Sequence, residues 1–594
     1  MMIKRRKKDG NVSKYTIMLK VLDNICNTAP ENFKSYHLEK KTEQEIDSIR
    51  SKAYIHLFLL VKFGIIDFKT RHDYITDGSA DGGLDAYYID EEQKIIYMIQ
   101  SKFRANSTNF ENKEISADEL TAMEIDRILD GEPEGEDGVA YNGKIKGFQA
   151  KLSKISDLPR YKYKIIILAN LSSERLLQRL FGNYEKEIFN YEKTYSELVF
   201  PVCSSTYYKN QRIVISMDIE DKIEEVNETF TTSFGDCDVS LLVVPLIDIA
   251  KMIGKYKNSI LEYNPRNYLS LRKNNVNRSI ETSVNENNSD FSLLNNGITL
   301  VCSQYESTTR TGKNNTTKVT IEDPQIINGG QTAFTLAKIL DNADDELVNK
   351  LKAKKVLLKV ISIYQEEGKN KEYRDFVNKI SDATNRQTKI DEADRRANQS
   401  VQINLQTDIF EKFGYFYERK AGEFEEALSK KIIENDMIIK RDIMLKVIWA
   451  YHGKCGEARN NSGDKIFKKD VFDSIMESSI SAERAVYSYL IHKKILCLEK
   501  LHKKNDYNSA EWGNAIRYGK FAVLSAYVAQ YRDEEWSEEN ITQRLMELLS
   551  QWKAFESFVK TKESNKKYFS DVEEFDNYYK SVNVNSDVQE YFGV

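Results

Sequence analysis

Between Ile75 and Phe103 the chain reads ITDGSADGGLDAYYIDEEQKIIYMIQSKF, and three of these residues suit phosphodiester hydrolysis: Asp85, Gln100 and Lys102. Asp85 leaves the Gly82-Gly83 turn, and Leu84 to Ile89 is predicted to continue as a strand. Asp90-Glu91-Glu92-Gln93 predicts the turn of a hairpin, and Lys94 to Phe103 its apolar return strand. Side chains alternate faces along a strand, so Gln100 and Lys102 share one side. A two-residue loop at Glu91-Glu92, or a four-residue loop from Asp90 to Gln93, sets Asp85 opposite Met98. Sliding the two-residue loop to Glu92-Gln93 sets Asp85 opposite Gln100. Each of these even loops gathers Asp85, Gln100 and Lys102 on one face; an odd loop does not.

A carboxylate and a strand amide can hold Mg²⁺ or Mn²⁺, hard cations that favour oxygen ligands and keep several waters. A lysine beside the metal can orient the attacking water and offset charge developing on phosphorus. The plain structural alternative is a glycine turn into an ordinary hairpin, with Lys102 capping a sheet edge.

The elements around this hairpin are marked in the sequence. Ser13 to Thr28 predicts a first helix, with Tyr15, Met18, Leu19 and Leu22 on one face. Thr42 and Glu45 predict a capping box that opens a second helix, striped by Ile46, Ile49, Ala53, Leu57 and Leu60 and ended by Gly64. After Lys102, Ala117 to Leu129 predicts one helix and Gly131 to Gly138 a flexible acidic loop. A helix from Gly147 to Ile155, the buried strand Tyr163 to Ala169 and a helix starting at Ser172-Ser173-Glu174 complete an α/β order.

On these residues the N-terminal part resembles the PD-(D/E)xK nuclease core in its restriction-endonuclease-like, Mrr-type form, whose last motif is Q-x-K. The resemblance makes Asp85 the metal-binding Asp, Gln100 the second-motif position and metal ligand, and Lys102 the catalytic lysine. In that fold a helix ahead of the metal strand often supplies another acid. Glu45 is its candidate here, with Asp47 beside it, although Glu45 also has the capping role. Aligning Ala53-Tyr54 with the usual Ala-Phe-Glu leaves Ile55 in place of that Glu. Asp77 and Asp81 in the glycine turn are the other candidates, and Asp73 is further away.

Length and composition set the outer limits. A chain of 594 residues implies about three or four domains. Its 41% hydrophobic and 30% charged content is that of a globular soluble protein. Tyr54 to Phe68, the longest apolar patch, is broken by His56, Lys62 and Asp67, which excludes a membrane-spanning helix. The six cysteines are scattered without C-x-x-C, which argues against zinc and disulfide frameworks and fits a reducing cytoplasm. A net charge of −5 argues against a wholesale polybasic nucleic-acid binder, but not against an enzyme gripping DNA through one groove. The basic run Lys4 to Lys8 reads as a solvated tail.

A second set of motifs lies mid-chain: Asn264-Pro265-Arg266-Asn267, Val276-Asn277-Arg278, Asn295-Asn296-Gly297-Ile298, Gln325-Ile326-Ile327-Asn328-Gly329-Gly330-Gln331-Thr332 and Thr384-Asn385-Arg386-Gln387. In order and identity they closely resemble the AIPR family, named for abortive infection phage resistance, over roughly 264 to 420. Members often carry a nuclease-like domain in front. The residues themselves predict a strand, a glycine turn at Asn328-Gly329-Gly330 and a helix from Gln331 to Leu340. Such a turn is either an anion site at a helix N-terminus or a device for close strand–helix packing. Asn296, Asn328, Gln331, Asn385, Arg386 and Gln387 could likewise read nucleic acid or satisfy buried loop carbonyls.

The expected architecture is an α/β restriction-endonuclease-like domain over 1–185 and a connector or lead-in over 186–255. An α+β AIPR core follows over 256–435, then an all-α region over 436–594, where Trp449, Trp512, Trp536 and Trp552 read as packing. The expected function is that of a metal-dependent nuclease in antiphage defence, acting on DNA ahead of RNA under a phage-derived trigger, with oligomerisation open. The alternative is a non-cleaving nucleic-acid-binding or nucleotide-responsive sensor.

Overall fold

A computed structural model describes residues 13–593 apart from 92, 122, 183, 208–212, 220–224, 265–274, 311–315, 365–369, 385–391, 462, 478–479, 504–510, 533 and 570–574. The chain forms two compact units, one of residues 14–381 with 423–433, the other of 382–422 with 434–594. The chain passes between the units after residues 381, 422 and 433, the last within two residues of the expected 435. Segment 423–433 stays with the first unit because Glu426 is held there: Lys257 Nζ lies 3.1 Å from its Oε1, and Ser205 Oγ donates to its Oε2 at 2.8 Å.

In the first unit, α1 (Lys14–Asn27), α2 (Glu43–Phe63) and α3 (Phe68–Tyr74) precede a four-stranded sheet. The predicted capping box opens α2, with Thr42 and Glu45 bonded reciprocally, and Gly64 ends it. The sheet runs in the order β1 (Ala86–Asp90), β2 (Ile95–Ser101), β3 (Lys162–Leu168), β4 (Glu185–Ile188). β1 is antiparallel to β2, while β2, β3 and β4 are mutually parallel. Parallel neighbours need a crossover. Between β2 and β3 it is made by α4 (Ser107–Asn112), α5 (Ala117–Thr121), α6 (Ile125–Leu129) and α7 (Gly143–Leu152), and between β3 and β4 by α8 (Glu174–Phe181). One face of the sheet buries Tyr87, Ile96, Met98, Ile165 and Ile167 with Phe148 of α7. On the other, Phe63 of α2 stacks on Tyr88 at 4.2 Å.

One of the expected hairpin registers and one departure from expectation shape the site. Ala86 lies across from Ile99 and Asp90 from Ile95, the register of the loop slid to Glu92-Gln93. The single helix expected over Ala117 to Leu129 is instead two, α5 and α6, because the Glu124 N–H between them donates to Gly82 O at 2.9 Å. A tertiary bond to the glycine turn replaces a helical one there.

Of the two readings of 186–255, connector or lead-in, the strand pairing fits the lead-in to the central fold. After α9 (Tyr191–Thr194) and α10 (Phe200–Ser204), β5 (Val214–Ile219) joins a three-stranded sheet with β9 (Gln304–Arg310) and β10 (Thr316–Glu322). A five-stranded sheet runs β11 (Gln325–Asn328), β8 (Ile298–Cys302), β12 (Lys355–Ile363), β7 (Asp236–Pro245), β6 (Glu225–Thr231). Its buried side packs α11 (Leu246–Tyr256), α12 (Asn275–Asn285), α14 (Gly330–Asp341) and α15 (Asp345–Ala353), while α13 (Phe291–Leu294) leads into β8.

In the second unit a short parallel pair, Phe416–Glu418 with Ile438–Lys440, precedes helices that include Arg441–Tyr451, Ala482–Lys503, Lys520–Tyr531, Glu538–Ser550 and Trp552–Thr561. Trp512, Trp536 and Trp552 are buried and Trp449 packs at the edge, as expected of core aromatics. Among the described residues no helix is long and apolar enough to cross a membrane.

Candidate active site

The turn between α3 and β1 folds back on its own backbone. The N–H groups of Thr76 and Asp77 both donate to Asp85 O, at 2.8 and 3.0 Å, and the Thr76 hydroxyl donates to Leu84 O. Asp81 is fixed from both sides, its Oδ2 accepting the Gly78 N–H at 3.0 Å and its Oδ1 the Gly83 N–H at 2.9 Å. Gly82 has φ 59°, and a Cβ there would stand 2.9 Å from the Tyr141 ring and 3.0 Å from Ile128. Only glycine meets both demands. The result is that Asp77, Asp81 and Asp85 each present a carboxylate oxygen within 4.8 Å of the others.

Asp85 is the most buried of the three. Removal from water pushes its carboxyl up to about 7; the Ser101 N–H and Lys102 oppose this, and the charges of Asp77 and Asp81 reinforce it. The Ser101 N–H donates to Asp85 Oδ2 at 2.6 Å, tying the carboxylate to the end of β2. Burial likewise raises Asp81. Lys52 of α2 brings its Nζ within 3.9 Å of Asp77 Oδ2.

Gln100 and Lys102 stand where the register predicts, at the end of β2 beside Asp85. Gln100 is buried; its Nε2 donates to Glu119 O at 2.7 Å, and its Oε1 has no hydrogen-bond partner. The backbone of Lys102 is pinned to β3 by an N–H bond to Leu168 O at 3.0 Å, and its Nζ lies 2.6 Å from Glu119 Oε1.

These residues fit a hard divalent cation. Oxygens on opposite sides of an ion with bonds of about 2.1–2.4 Å stand about 4.2–4.8 Å apart, and adjacent ones closer, so three carboxylate oxygens within 4.8 Å of one another can share one ion. An orphaned buried amide oxygen and mutually repelling carboxylates are the groups such an ion would satisfy. Glu45 is not among them, which corrects its assignment as a ligand. Its carboxylate is spent on the Thr42 N–H at 2.8 Å, on Thr42 Oγ1 and on Lys41 at the exposed start of α2. Ile55, where a helix acid was sought, is buried in the core. Asp77 and Asp81, the candidates in the glycine turn, are the acids grouped with Asp85. Glu119 was missed altogether, although Ser116-x-x-Glu119 is itself a capping-box pattern and does form one.

The mid-chain motifs bond to one another. Gly329, at φ 80°, caps α14, and a Cβ on it would lie 2.7 Å from Gly297 O. The corresponding side of Gly330 is filled by the Asn264 amide and Leu261. Asn277 is fully buried, and its Oδ1 accepts from Gln331 Nε2 at 2.7 Å and Thr335 Oγ1 at 3.3 Å. Asn295 accepts the Gly297 N–H and donates to Thr332 Oγ1, while Asn328 Oδ1 accepts the Gly329 N–H at 2.7 Å. The structure thus supports the packing role for Gly329, Gly330 and Gln331 over the anion site. Asn296 is exposed, and Asn385, Arg386 and Gln387 lie outside the described residues.

The family described as AIPR protein matches residues 261–565, just over half of the chain. The chain belongs to the AIPR family. The matched region takes in the interlocked motifs and continues past residue 435 through most of the C-terminal helices, so AIPR likeness extends beyond the 256–435 expected for it. No curated protein and no solved structure matches the chain.

Two outcomes follow from this geometry. Asp85 has a raised carboxyl, so the metal-free fold binds its proton more tightly than the unfolded chain does. Its contribution to stability is therefore full below about pH 4 and lost as pH rises to about 7. Mn²⁺ should accordingly raise the melting temperature more at pH 8 than at pH 5, and Asp85→Asn should remove the difference. A shift equal at both pH values would contradict this electrostatic account. In the AIPR region, Gly329→Ala should destabilise the first unit by about 1–3 kcal/mol from backbone strain alone, read as lost hydrogen-exchange protection in α14 and β8.

Proposed function

We propose that this AIPR protein is an antiphage defence effector whose N-terminal sheet carries a metal-dependent nuclease. The observation that carries the reading is the convergence of Asp77, Asp81 and Asp85 ahead of β1, with Gln100 and Lys102 on the adjoining end of β2 by the hairpin register. Bound there, Mg²⁺ or Mn²⁺ would supply Lewis-acid polarisation of a phosphodiester.

The chain's own residues do the rest. The three aspartates and Gln100 would hold the ion, and the Ser101 N–H fixes the Asp85 carboxylate by donating to its Oδ2. Lys102 presents an ammonium that orients the attacking water and offsets charge developing on the phosphate. The antiparallel hairpin followed by a helical crossover and a parallel strand is compatible with a restriction-endonuclease-like core, and that resemblance favours DNA over RNA as substrate. AIPR membership supports the defence role, with the remainder of the chain controlling or targeting cleavage.

The test is incubation of the full chain with plasmid, linear DNA and RNA, each with Mg²⁺ or EDTA. Metal-dependent cleavage is expected. Asp85→Asn and Lys102→Ala should each lower it by on the order of a hundred-fold or more, with melting temperature retained or raised. Gln100→Ala should cost less, because a neutral amide holds a divalent ion more weakly than a carboxylate. Cleavage by Lys102→Ala at the wild-type rate would sink the assignment, and binding without cleavage would favour the sensor.

A further inference from the structure

Neither the spacing motifs nor AIPR membership points to Glu119, yet it touches both side chains of the Q-x-K pair. Its carboxylate meets Lys102 Nζ at 2.6 Å, and its backbone carbonyl accepts Gln100 Nε2 at 2.7 Å. The second contact dictates how the amide is turned. A carbonyl oxygen can only accept, so Gln100 must offer it the NH₂ group and point Oε1 the other way. That leaves Oε1 buried and without a hydrogen-bond partner.

Glu119 is itself firmly held. Its Oε2 accepts the Ser116 N–H at 2.9 Å and lies 3.2 Å from Ser116 Oγ and 3.6 Å from Arg104 Nη2. The segment carrying it is strapped to the end of β3: the Ile115 N–H donates to Asn170 O at 2.9 Å, and Ile115 and Leu120 are buried. Burial raises the Glu119 carboxyl, but Lys102, the Ser116 N–H and Arg104 outweigh it and bring it down to about 2, so it stays ionised.

A role in stability alone does not fit these contacts. The pair is substantially open to water, with Lys102 41% and Glu119 29% exposed in their side chains, and such pairs contribute little to folding. What the contact does provide is geometry. A lysine on a flexible four-carbon stem loses rotamer freedom at a cost, and an ordered carboxylate that fixes it beforehand removes that cost from the reaction.

We propose that Glu119 is a positioning residue, holding the Lys102 ammonium and the Gln100 amide in their working orientations beside Asp85. This rests on the nuclease reading above. It predicts that Glu119→Gln, which keeps the backbone carbonyl, lowers kcat by on the order of ten-fold with KM, Mn²⁺ affinity and melting temperature unchanged. Because Glu119 acts through Lys102, the same substitution should add nothing to Lys102→Ala when residual single-turnover rates are compared.

Metal-dependent cleavage by the unaltered chain together with an unchanged kcat in Glu119→Gln overturns this inference and leaves the nuclease reading standing. So does a full additive loss on top of Lys102→Ala. A fall in Mn²⁺ affinity as large as the fall in kcat would also overturn it, by making Glu119 a contributor to the metal site. Failure of the unaltered chain to cut any nucleic acid is a failure of the nuclease reading, and this inference falls with it.

Discussion

Three carboxylates gathered within 4.8 Å repel one another, and much of the N-terminal sheet's local structure serves to hold them there. The means are almost wholly backbone. Asp81 is clamped by two glycine N–H groups, Asp85 by the Ser101 N–H, and the Asp85 carbonyl collects the N–H groups of Thr76 and Asp77. Such a turn tolerates the charge because its N–H donors are held on the carboxylates by the chain path. Lys52 and Lys102 supply nearby positive charge without occupying the space between the aspartates.

The path of the turn depends in turn on elements distant in sequence. Glu124 interrupts what periodicity predicts as one helix in order to bond Gly82 O, and the Tyr141 ring fills the room that the missing Cβ leaves. Asn142 Nδ2 donates to Thr76 O at 3.2 Å and so ties the start of α7 to the same turn. The acidic stretch after β2 is thus the frame of the site, although its sequence predicts only a helix followed by a flexible loop.

Much of the local structure was legible in the sequence because it is set by short-range rules. The Thr42–Glu45 capping box, the end of α2 at Gly64 and the hairpin parity depend on spacings of a few residues, and each was found as expected. Glu119 was not legible, because its meaning lies in a contact seventeen residues back along the chain and in a strap anchored at Asn170. The same holds for the central fold. Glu225–Thr231 is polar and exposed along most of its length, so it carries little hydrophobic pattern, yet it pairs with β7 as an edge strand. Glu45 misled for a different reason: a carboxylate at the third helical position serves a cap and a metal equally well until its partners are seen.

The two groups of polar motifs in this chain separate on one physical criterion, the saturation of their hydrogen bonds. In the AIPR region Asn277, Asn295, Asn328, Gln331 and Thr335 are partnered with each other or with nearby backbone, and Gly329 admits the backbone of Gly297 at contact distance. A string of amides and glycines that resembles a ligand cradle is there a clasp joining two turns and two helices. Around Asp85 the accounts do not close within the protein. Like charges face one another, a carboxyl is driven towards neutrality, and the Gln100 amide spends its donor on Glu119 while its acceptor is left with nothing. Buried polar groups are rarely left so unless something outside the chain completes them. On this criterion the cluster around Asp85, more than the motif string, is the candidate site of this protein.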